Sequence, residues 1–162
     1  MEQRQIDELQ QQWIVEHAVG RCLHVGCGMK KIVGAINLDP NPERRKWSDV
    51  QGEGLRLPFA DGVFDSLVSS HVLPLFSDLN AVLREFARVL KSGGLMAHVV
   101  PDWRYAPDRL SSHWRFERQA QGWRGPDFFA SELQGLDNIL HFVSIENFRE
   151  FNWSFKVEAI RL

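Results

Sequence analysis

Short apolar runs alternate with amphipathic segments along the first two thirds of the chain. Residues 21–26, 64–70 and 95–100 are apolar runs bounded by glycine, proline or aspartate, which is the pattern of buried strands. Residues 2–18 and 77–90 instead space their apolar positions three and four apart, which predicts helices with a core-facing stripe. Strands that alternate with helices indicate an α/β fold with a mostly parallel sheet.

Local signals predict where the later elements begin and end. Ser77 is expected to cap the second helix, and the small residues 92–94 are expected to end it. Ser144 in turn predicts the cap of a short helix that runs to about Phe151. Residues 155–162 alternate apolar and polar positions, which suits an antiparallel strand at the edge of the sheet.

The connection between the first two predicted strands is short. The first strand ends at the Gly26-Cys27-Gly28 segment, and a second apolar run, at residues 34–38, is closed by Asp39. Only seven residues separate Gly28 from Ile36. A crossover between neighbouring parallel strands usually takes about a dozen residues and contains a helix. We therefore expect the first crossover to be a loop or a single turn.

Composition and charge indicate one domain and exclude several classes of protein. The 162 residues are 44% hydrophobic and carry a net charge of −2, so we expect one domain over residues 1–162, with nucleic acid disfavoured as a partner. No apolar run approaches the length of a membrane span, and the N-terminus is too polar for a signal peptide. We expect a cytoplasmic protein without a membrane partner. The two cysteines are expected to be reduced, and no metal site is expected.

An ordered series of motifs gives the main indication of function. In chain order these are LHVGCG (23–28), INLDP (36–40), LRLPFADGVFDSLVSSHVL (55–73) and LREFARVLKSGGLMAHVVPD (83–102). The series resembles the class I S-adenosylmethionine-dependent methyltransferases, in particular the small "type 11" group, over residues 21–102. The resemblance implies a Rossmann-like, mostly parallel sheet with helices on both faces, in which the first crossover helix is reduced to a loop.

On this resemblance the domain divides into three parts. Residues 1–20 are the N-terminal helix, residues 21–102 the core that binds the cofactor, and residues 103–162 a lid followed by the C-terminal helix and edge strand. S-adenosylmethionine has no pyrophosphate, so it does not need a crossover helix whose N-terminus binds an anion. Residues 103–124 carry five arginines among aromatic side chains, which predicts either a solvated lid or a clamp for an anionic or sugar-containing acceptor.

The resemblance assigns the cofactor contacts to the ends of the strands. Gly26 and Gly28 lack side chains, so the backbone there can approach the methionine end of the cofactor closely. The carboxylate of Asp39 is suited to accept from both ribose hydroxyls. Ser69 is expected to offer its carbonyl to the ligand's amino group, and residues 53–55 to lie beside adenine. The full set of implied cofactor contacts is His24, Gly26, Cys27, Gly28, Asp39, Glu53, Gly54, Leu55, Ser69 and Ser70.

The catalytic residue is less defined than the cofactor site, because the sulfonium of the cofactor itself activates the methyl group. A general base helps only where the acceptor must lose a proton, and the predicted candidates are His71, Asp102 and His113. We expect a small-molecule or glycan-type acceptor; the sequence leaves the oligomeric state open.

Two other functions stay open at this point. One is a non-catalytic methyltransferase-like binding domain. The other, less favoured, is an NAD(P)-dependent oxidoreductase. The absence of a third glycine and the early position of Asp39 both count against the oxidoreductase, since a dinucleotide fingerprint places its acid about 20 residues further on.

Overall fold

A computed structural model describes residues 2–102, 126–150 and 154–162 of the chain. Two short 3-10 turns, at Pro42–Arg44 and Leu73–Leu75, interrupt the loops between the regular elements. Within the described residues, no helix combines the length and the apolar character needed to cross a bilayer. The regular elements are, in chain order, α1 (Gln3–Glu16), β1 (Cys22–Val25), β2 (Ile36–Leu38), β3 (Phe64–Ser70), α2 (Leu79–Val89), β4 (Leu90–Pro101), α3 (Pro126–Ser131), β5 (Leu140–Asn147) and β6 (Ser154–Arg161).

The six strands of the described residues form one sheet in the order β2-β1-β3-β4-β6-β5. Strands β1 to β4 are parallel to one another, whereas β6 runs antiparallel to both β4 and β5. This arrangement confirms the predicted mostly parallel, Rossmann-like sheet. The last strand is antiparallel, but the prediction that it forms the edge was wrong, because β5 pairs with its outer side.

The helix predicted from Ser144 to about Phe151 was also wrong. Ser144 lies inside β5, where its hydroxyl donates to Glu158 of β6 at 3.2 Å. The register of the β5–β6 pair shifts between Phe142 and Ser144, so the apolar positions of β5 do not alternate strictly. A bulge of this kind removes the period-two pattern by which a strand is recognised in a sequence.

Helices cover both faces of the sheet. Leu67 of β3 packs in the larger core cluster with Phe86 and other buried residues of α2. The next residue, Val68, packs in a second cluster with Ile14 of α1. Because successive residues of a strand point to opposite faces, α1 and α2 lie on opposite sides of the sheet. The prediction of helices on both faces is therefore confirmed.

Helix α2 begins and ends slightly inside its predicted bounds. Its cap is Asp78 rather than Ser77, because the Asp78 carboxylate accepts from the backbone N–H of Ala81 at 2.9 Å. Strand β4 follows the helix directly at Leu90. The small residues 92–94 lie in an irregular part of β4, where the pairing with β3 shifts register.

The first crossover contains no helix, as predicted, and a buried side chain holds it in place. Asn37 of β2 is fully buried. Its Oδ1 accepts from the N–H of Ile32 at 2.8 Å, and its Nδ2 donates to the carbonyls of Ile32 and Ala35, both at 3.0 Å. Nδ2 also donates to Asp49 at 2.9 Å. One amide thus satisfies backbone groups that a crossover helix would otherwise pair internally.

Candidate functional site

The ends of the four parallel strands bring several predicted site residues to one side of the molecule. These are residues 26–28 after β1, Asp39 after β2, residues 70–71 at the end of β3 and Asp102 after β4. We call this set the carboxyl edge. In open α/β sheets, ligands bind at this edge, where the order of the strands reverses, and here the reversal lies between β1 and β3.

The glycine turn after β1 combines a packing requirement with an open backbone. Gly26 and Gly28 both adopt left-handed conformations, with φ of 65° and 56°. A side chain at Gly26 would overlap Val72, so the fold itself requires glycine there. At Gly28 an added Cβ would meet only the Arg44 guanidinium, at 3.7 Å. The backbone of Gly28 is therefore the more accessible of the two to a ligand.

Asp39 is a buried carboxylate whose orientation is set by the backbone around it. Only 1% of its surface is exposed, whereas a strand-end acid is expected to be partly exposed. Oδ2 accepts from the N–H of Gly28 at 2.8 Å, and Oδ1 accepts from the N–H of Asn41 at 3.0 Å. The guanidinium of Arg44 lies 3.4 Å from Oδ2. The carboxylate thus bridges the ends of β1 and β2 with a cation beside it.

At the end of β3, the backbone is better placed than the serine side chains to contact a ligand. Ser69 is fully buried, and its hydroxyl lies 2.7 Å from Nδ1 of His98 on β4. The His98 ring lies 5.7 Å from the Phe86 ring, so this polar pair faces α2. Ser70 is partly buried. Only the backbone of Ser69 is therefore left to contact a ligand at the carboxyl edge.

His71 is held as a neutral imidazole. Its backbone takes a left-handed conformation with φ of 58°, and its N–H donates to the carbonyl of Val99 at 2.8 Å. Nε2 lies 3.4 Å from the hydroxyl of Ser154, which also accepts from Gln10 of α1 at 3.0 Å. Burial, and then the charge of Lys30, lower the pKa of His71 to about 4. An imidazole with so low a pKa is a weak general base at neutral pH.

Of the other two predicted catalytic residues, Asp102 is among the described residues and His113 is not. Asp102 follows β4 and is fully buried at the carboxyl edge, which also includes Asp39. His113 lies outside the described residues, as does the predicted lid at residues 103–124. Their roles therefore stay predictions.

The segment predicted to flank adenine forms a tight turn. The N–H of Arg56 donates to the carbonyl of Glu53 at 3.1 Å, and Glu53 and Leu55 are both exposed. Gly54 is buried because its Cα lies against the Phe76 ring, which leaves no room for a side chain. The turn follows Val50, whose carbonyl accepts from the N–H of Asp39 at 3.2 Å. Its position after the end of β2 is compatible with a contact to a bound base.

His24 and Cys27, both predicted cofactor contacts, are buried, His24 within β1 and Cys27 in the loop that Asn37 organises. Nδ1 of His24 donates to Oδ1 of Asn37 at 3.1 Å, and burial lowers the pKa of His24. Burial also raises the pKa of the Cys27 thiol to about 11, and its sulfur lies 3.7 Å from the carbonyl of Trp47. A thiol with that pKa is not reactive at neutral pH. Their side chains therefore support the glycine turn rather than face the carboxyl edge.

Two residues of the site were missed from the sequence. Asn37 was included only as part of the second apolar run, although an amide between Ile36 and Leu38 is a signal for a buried polar contact. The other is Arg44, which lies against Asp39 although nothing in its sequence neighbourhood indicates that contact.

Comparisons with known proteins agree with this architecture. Residues 23–98 match a family model described as a methyltransferase domain. The chain is 48% identical over 80 residues to the demethylmenaquinone methyltransferase of Corynebacterium glutamicum (strain R), a match that covers 49% of this chain and 33% of that protein. The matches with the curated relatives span between a fifth and a third of their length.

Solved structures resemble nearly the whole chain at low sequence identity. PH0226 protein from Pyrococcus horikoshii OT3 superposes with a TM-score of 0.68 at 15% identity, covering 98% of this chain and 91% of that one. Geranyl diphosphate C-methyltransferase from Streptomyces coelicolor A3(2), in complex with Mg2+, geranyl diphosphate and S-adenosyl-L-homocysteine, gives a TM-score of 0.69 at 13% identity. That match covers 98% of this chain and 82% of that one. At such identities the likeness establishes the fold.

Proposed function

Because this chain carries a methyltransferase domain of the type 11 group in a class I S-adenosylmethionine-dependent methyltransferase fold, we propose that it binds S-adenosylmethionine and methylates a small-molecule acceptor. The observation that carries the proposal is the pairing of Gly28 with Asp39 at the ends of adjacent parallel strands. An open backbone next to an oriented carboxylate suits a ligand with a ribose diol and no pyrophosphate.

The proposed binding mode assigns one group of the cofactor to each loop of the carboxyl edge. Asp39 would accept from the ribose hydroxyls. Oδ1 keeps a lone pair beside the one that accepts from Asn41, and on Oδ2 the ligand would replace the exposed Arg44 guanidinium while the N–H of Gly28 stays bound. The backbone at Gly28 would border the methionine end, and the carbonyl of Ser69 would accept from its amino group. Residues 53–55 would flank adenine.

The work left to the protein in this reaction is alignment. The cofactor supplies a methyl group already activated on a sulfonium. The chain would hold the acceptor in line with the bond that breaks and would exclude water from the site. An acceptor that must lose a proton would need a stronger base than His71, whose pKa is about 4. Asp102 and His113 are the other predicted candidates.

The acceptor class is supported by the curated relatives rather than by the site. Curated relatives such as that of Corynebacterium glutamicum are named demethylmenaquinone methyltransferases, which favours a small, ring-containing, apolar acceptor over a glycan. The weak basicity of His71 keeps one alternative in view, a non-catalytic domain that binds the cofactor without transferring its methyl group.

Calorimetric titration tests the cofactor assignment. We expect S-adenosylmethionine and S-adenosylhomocysteine to bind and NAD not to bind. Asp39→Asn should weaken S-adenosylhomocysteine at least about ten-fold, since a hydrogen bond to a charged group contributes roughly 1.5–3 kcal/mol. The control is Asp127→Asn, which removes the same charge from an exposed position on α3. Equal affinities in the two variants would refute the ribose role of Asp39, and tight NAD binding would refute the cofactor itself.

A further inference from the structure

The loop between β1 and β2 exposes aliphatic side chains although it is firmly held. Val33 is 96% exposed and Met29 is 67% exposed. Between them, Ile32 is buried against the α1 face and bonded through its backbone to Asn37. Single exposed apolar residues are ordinary on protein surfaces, but these two lie four positions apart on one anchored loop, which we call the apolar tip.

A cationic segment lies beside this tip. The loop contacts residues 42–49 through the Cys27 sulfur and the Trp47 carbonyl, and through an ion pair between Lys31 and Asp49. Residues 29–49 contain five basic and three acidic side chains, which gives five minus three, or +2, in a chain whose net charge is −2. The charges of the chain are thus unevenly distributed.

Ion pairs neutralise only part of that positive charge. Lys31 pairs with Asp49, and Arg44 pairs with Asp39. The three remaining cations are Lys30, Arg45 and Lys46, all of them exposed, and none is in an ion pair with a carboxylate of the described residues. The ammonium of Lys46 lies 3.9 Å from the centre of the partly buried Trp47 ring, which keeps an aromatic side chain beside the cations.

We propose that these two loops form a docking patch for the surface of an anionic lipid bilayer. The docking patch consists of Met29, Lys30, Val33, Arg45, Lys46 and Trp47. Exposed aliphatic side chains insert at the boundary of headgroups and acyl chains, while lysine and arginine bind anionic headgroups. Such a contact needs no long apolar run, so it differs in kind from the membrane span that the sequence lacks.

The docking patch adjoins the carboxyl edge. Gly28 precedes Met29 directly, and the Gly28 backbone lies beside Arg44. The charge of Lys30 acts on His71 at the end of β3. Docking would therefore bring the candidate site close to the bilayer. If the chain has the proposed function, an apolar acceptor could then pass from the membrane to the site; only this step rests on that function.

Co-sedimentation of the full chain with vesicles tests the docking patch. We expect binding to mixed phosphatidylglycerol–phosphatidylcholine vesicles that weakens as salt is added, and little binding to phosphatidylcholine alone. Val33→Asp and Lys30→Glu should each reduce the partition coefficient, Val33→Asp by roughly ten-fold. The matched control is Val143→Asp, because Val143 is also exposed, at 55%, but lies on β5 at the opposite edge of the sheet.

The outcomes separate this proposal from its rivals and from the proposed function. Undiminished binding by Val33→Asp, an equal loss in Val143→Asp, or displacement of vesicles by single-stranded RNA would each overturn the docking patch. Titration of the same variants with S-adenosylhomocysteine, without vesicles, reports on the cofactor site alone. A chain that binds vesicles but not S-adenosylhomocysteine would retain the docking patch and lose the proposed function. The reverse result would refute only the docking patch.

Discussion

The connection from β1 to β2 and the connection from β3 to β4 are stabilised by different kinds of interaction. The connection from β3 to β4 passes through α2, whose buried face includes Val82, Leu83 and Phe86 in the larger core cluster. The connection from β1 to β2 has no helix, and its backbone is held by the amide of Asn37. Apolar burial therefore stabilises one crossover, and a directional polar network fixes the shape of the other. The connection from β1 to β2 contains the glycine turn of the candidate site, whereas the connection from β3 to β4 contributes His71 at its start.

The largest expected effect comes from removing apolar packing under α2. Phe86→Ala should lower the free energy of unfolding by about 3–5 kcal/mol, because it leaves a cavity where a fully buried ring packed. Denaturant unfolding measures this loss. The molecules that stay folded should bind S-adenosylhomocysteine within about two-fold of the unaltered chain, since Phe86 does not line the carboxyl edge. A large loss of affinity would show that the two crossovers are not independent.

Asn37→Leu should lower the free energy of unfolding somewhat less than Phe86→Ala does, and it should weaken the affinity for S-adenosylhomocysteine more. The substitution leaves backbone groups of Ile32 and Ala35 without partners, and each buried unpaired group costs roughly 1–3 kcal/mol. We expect a loss of about 3 kcal/mol in unfolding free energy and at least a ten-fold weaker affinity for S-adenosylhomocysteine. Calorimetric titration at a temperature below the unfolding midpoint measures the affinity for S-adenosylhomocysteine. Retained affinity would mean that the glycine turn keeps its shape without Asn37.

The buried histidine under α2 predicts a loss of stability in acid. Burial lowers the pKa of His98 to about 3, and Nε2 has no hydrogen-bond partner in the described part of the chain. The unfolded chain therefore binds a proton near pH 6.5 that the folded chain binds only near pH 3, so stability falls as pH drops through this window. At pH 5 this difference in proton binding lowers the free energy of unfolding by about 2 kcal/mol relative to neutral pH. His98→Leu should reduce the slope of unfolding free energy against pH between pH 6.5 and 4. An unchanged slope would assign the acid sensitivity to other groups.

The smallest expected effect concerns the start of α2. Asp78→Ala should cost about 1 kcal/mol, because it removes the side chain that caps the helix at the N–H of Ala81. Ser77→Ala should change the free energy of unfolding by less than about 0.5 kcal/mol, although Ser77 is the cap that the sequence predicts. Thermal unfolding of the pair checks the order of the two effects. The opposite order would return the cap to Ser77.

Strands with a regular apolar pattern could be predicted from the sequence, whereas a strand with a bulge could not. The bounds of β3 were predicted as residues 64–70, because an apolar run between turn residues leaves few alternatives. Strand β5 was missed, because the bulge after Phe142 breaks its alternation. Apolar periodicity can be recognised within a short stretch of sequence, whereas a bulge depends on how the strand pairs with its neighbour in the sheet.

At the candidate site, residue types were predictable and their environments were not. Asp39 and the two glycines were identified from their spacing and from the family resemblance. The burial of Asp39 and its contact with Arg44 depend on how residues 41–49 fold back over β2, which no local pattern encodes. His71 was a candidate base by residue type, but its pKa of about 4 results from the surrounding burial and from Lys30.

The hydrogen bonds that orient Asp39 have a consequence for the rate of ligand association. Its two oxygens are already fixed by the N–H groups of Gly28 and Asn41 in the absence of a ligand. The loss of rotamer freedom at this residue therefore accompanies folding and is not repeated when a ligand arrives. We expect association at this residue to displace the exposed Arg44 side chain, whose guanidinium lies 3.4 Å from Oδ2, and rotamer changes of exposed side chains take picoseconds to nanoseconds. A ligand that binds through Asp39 should accordingly associate in a single phase whose observed rate rises linearly with ligand concentration.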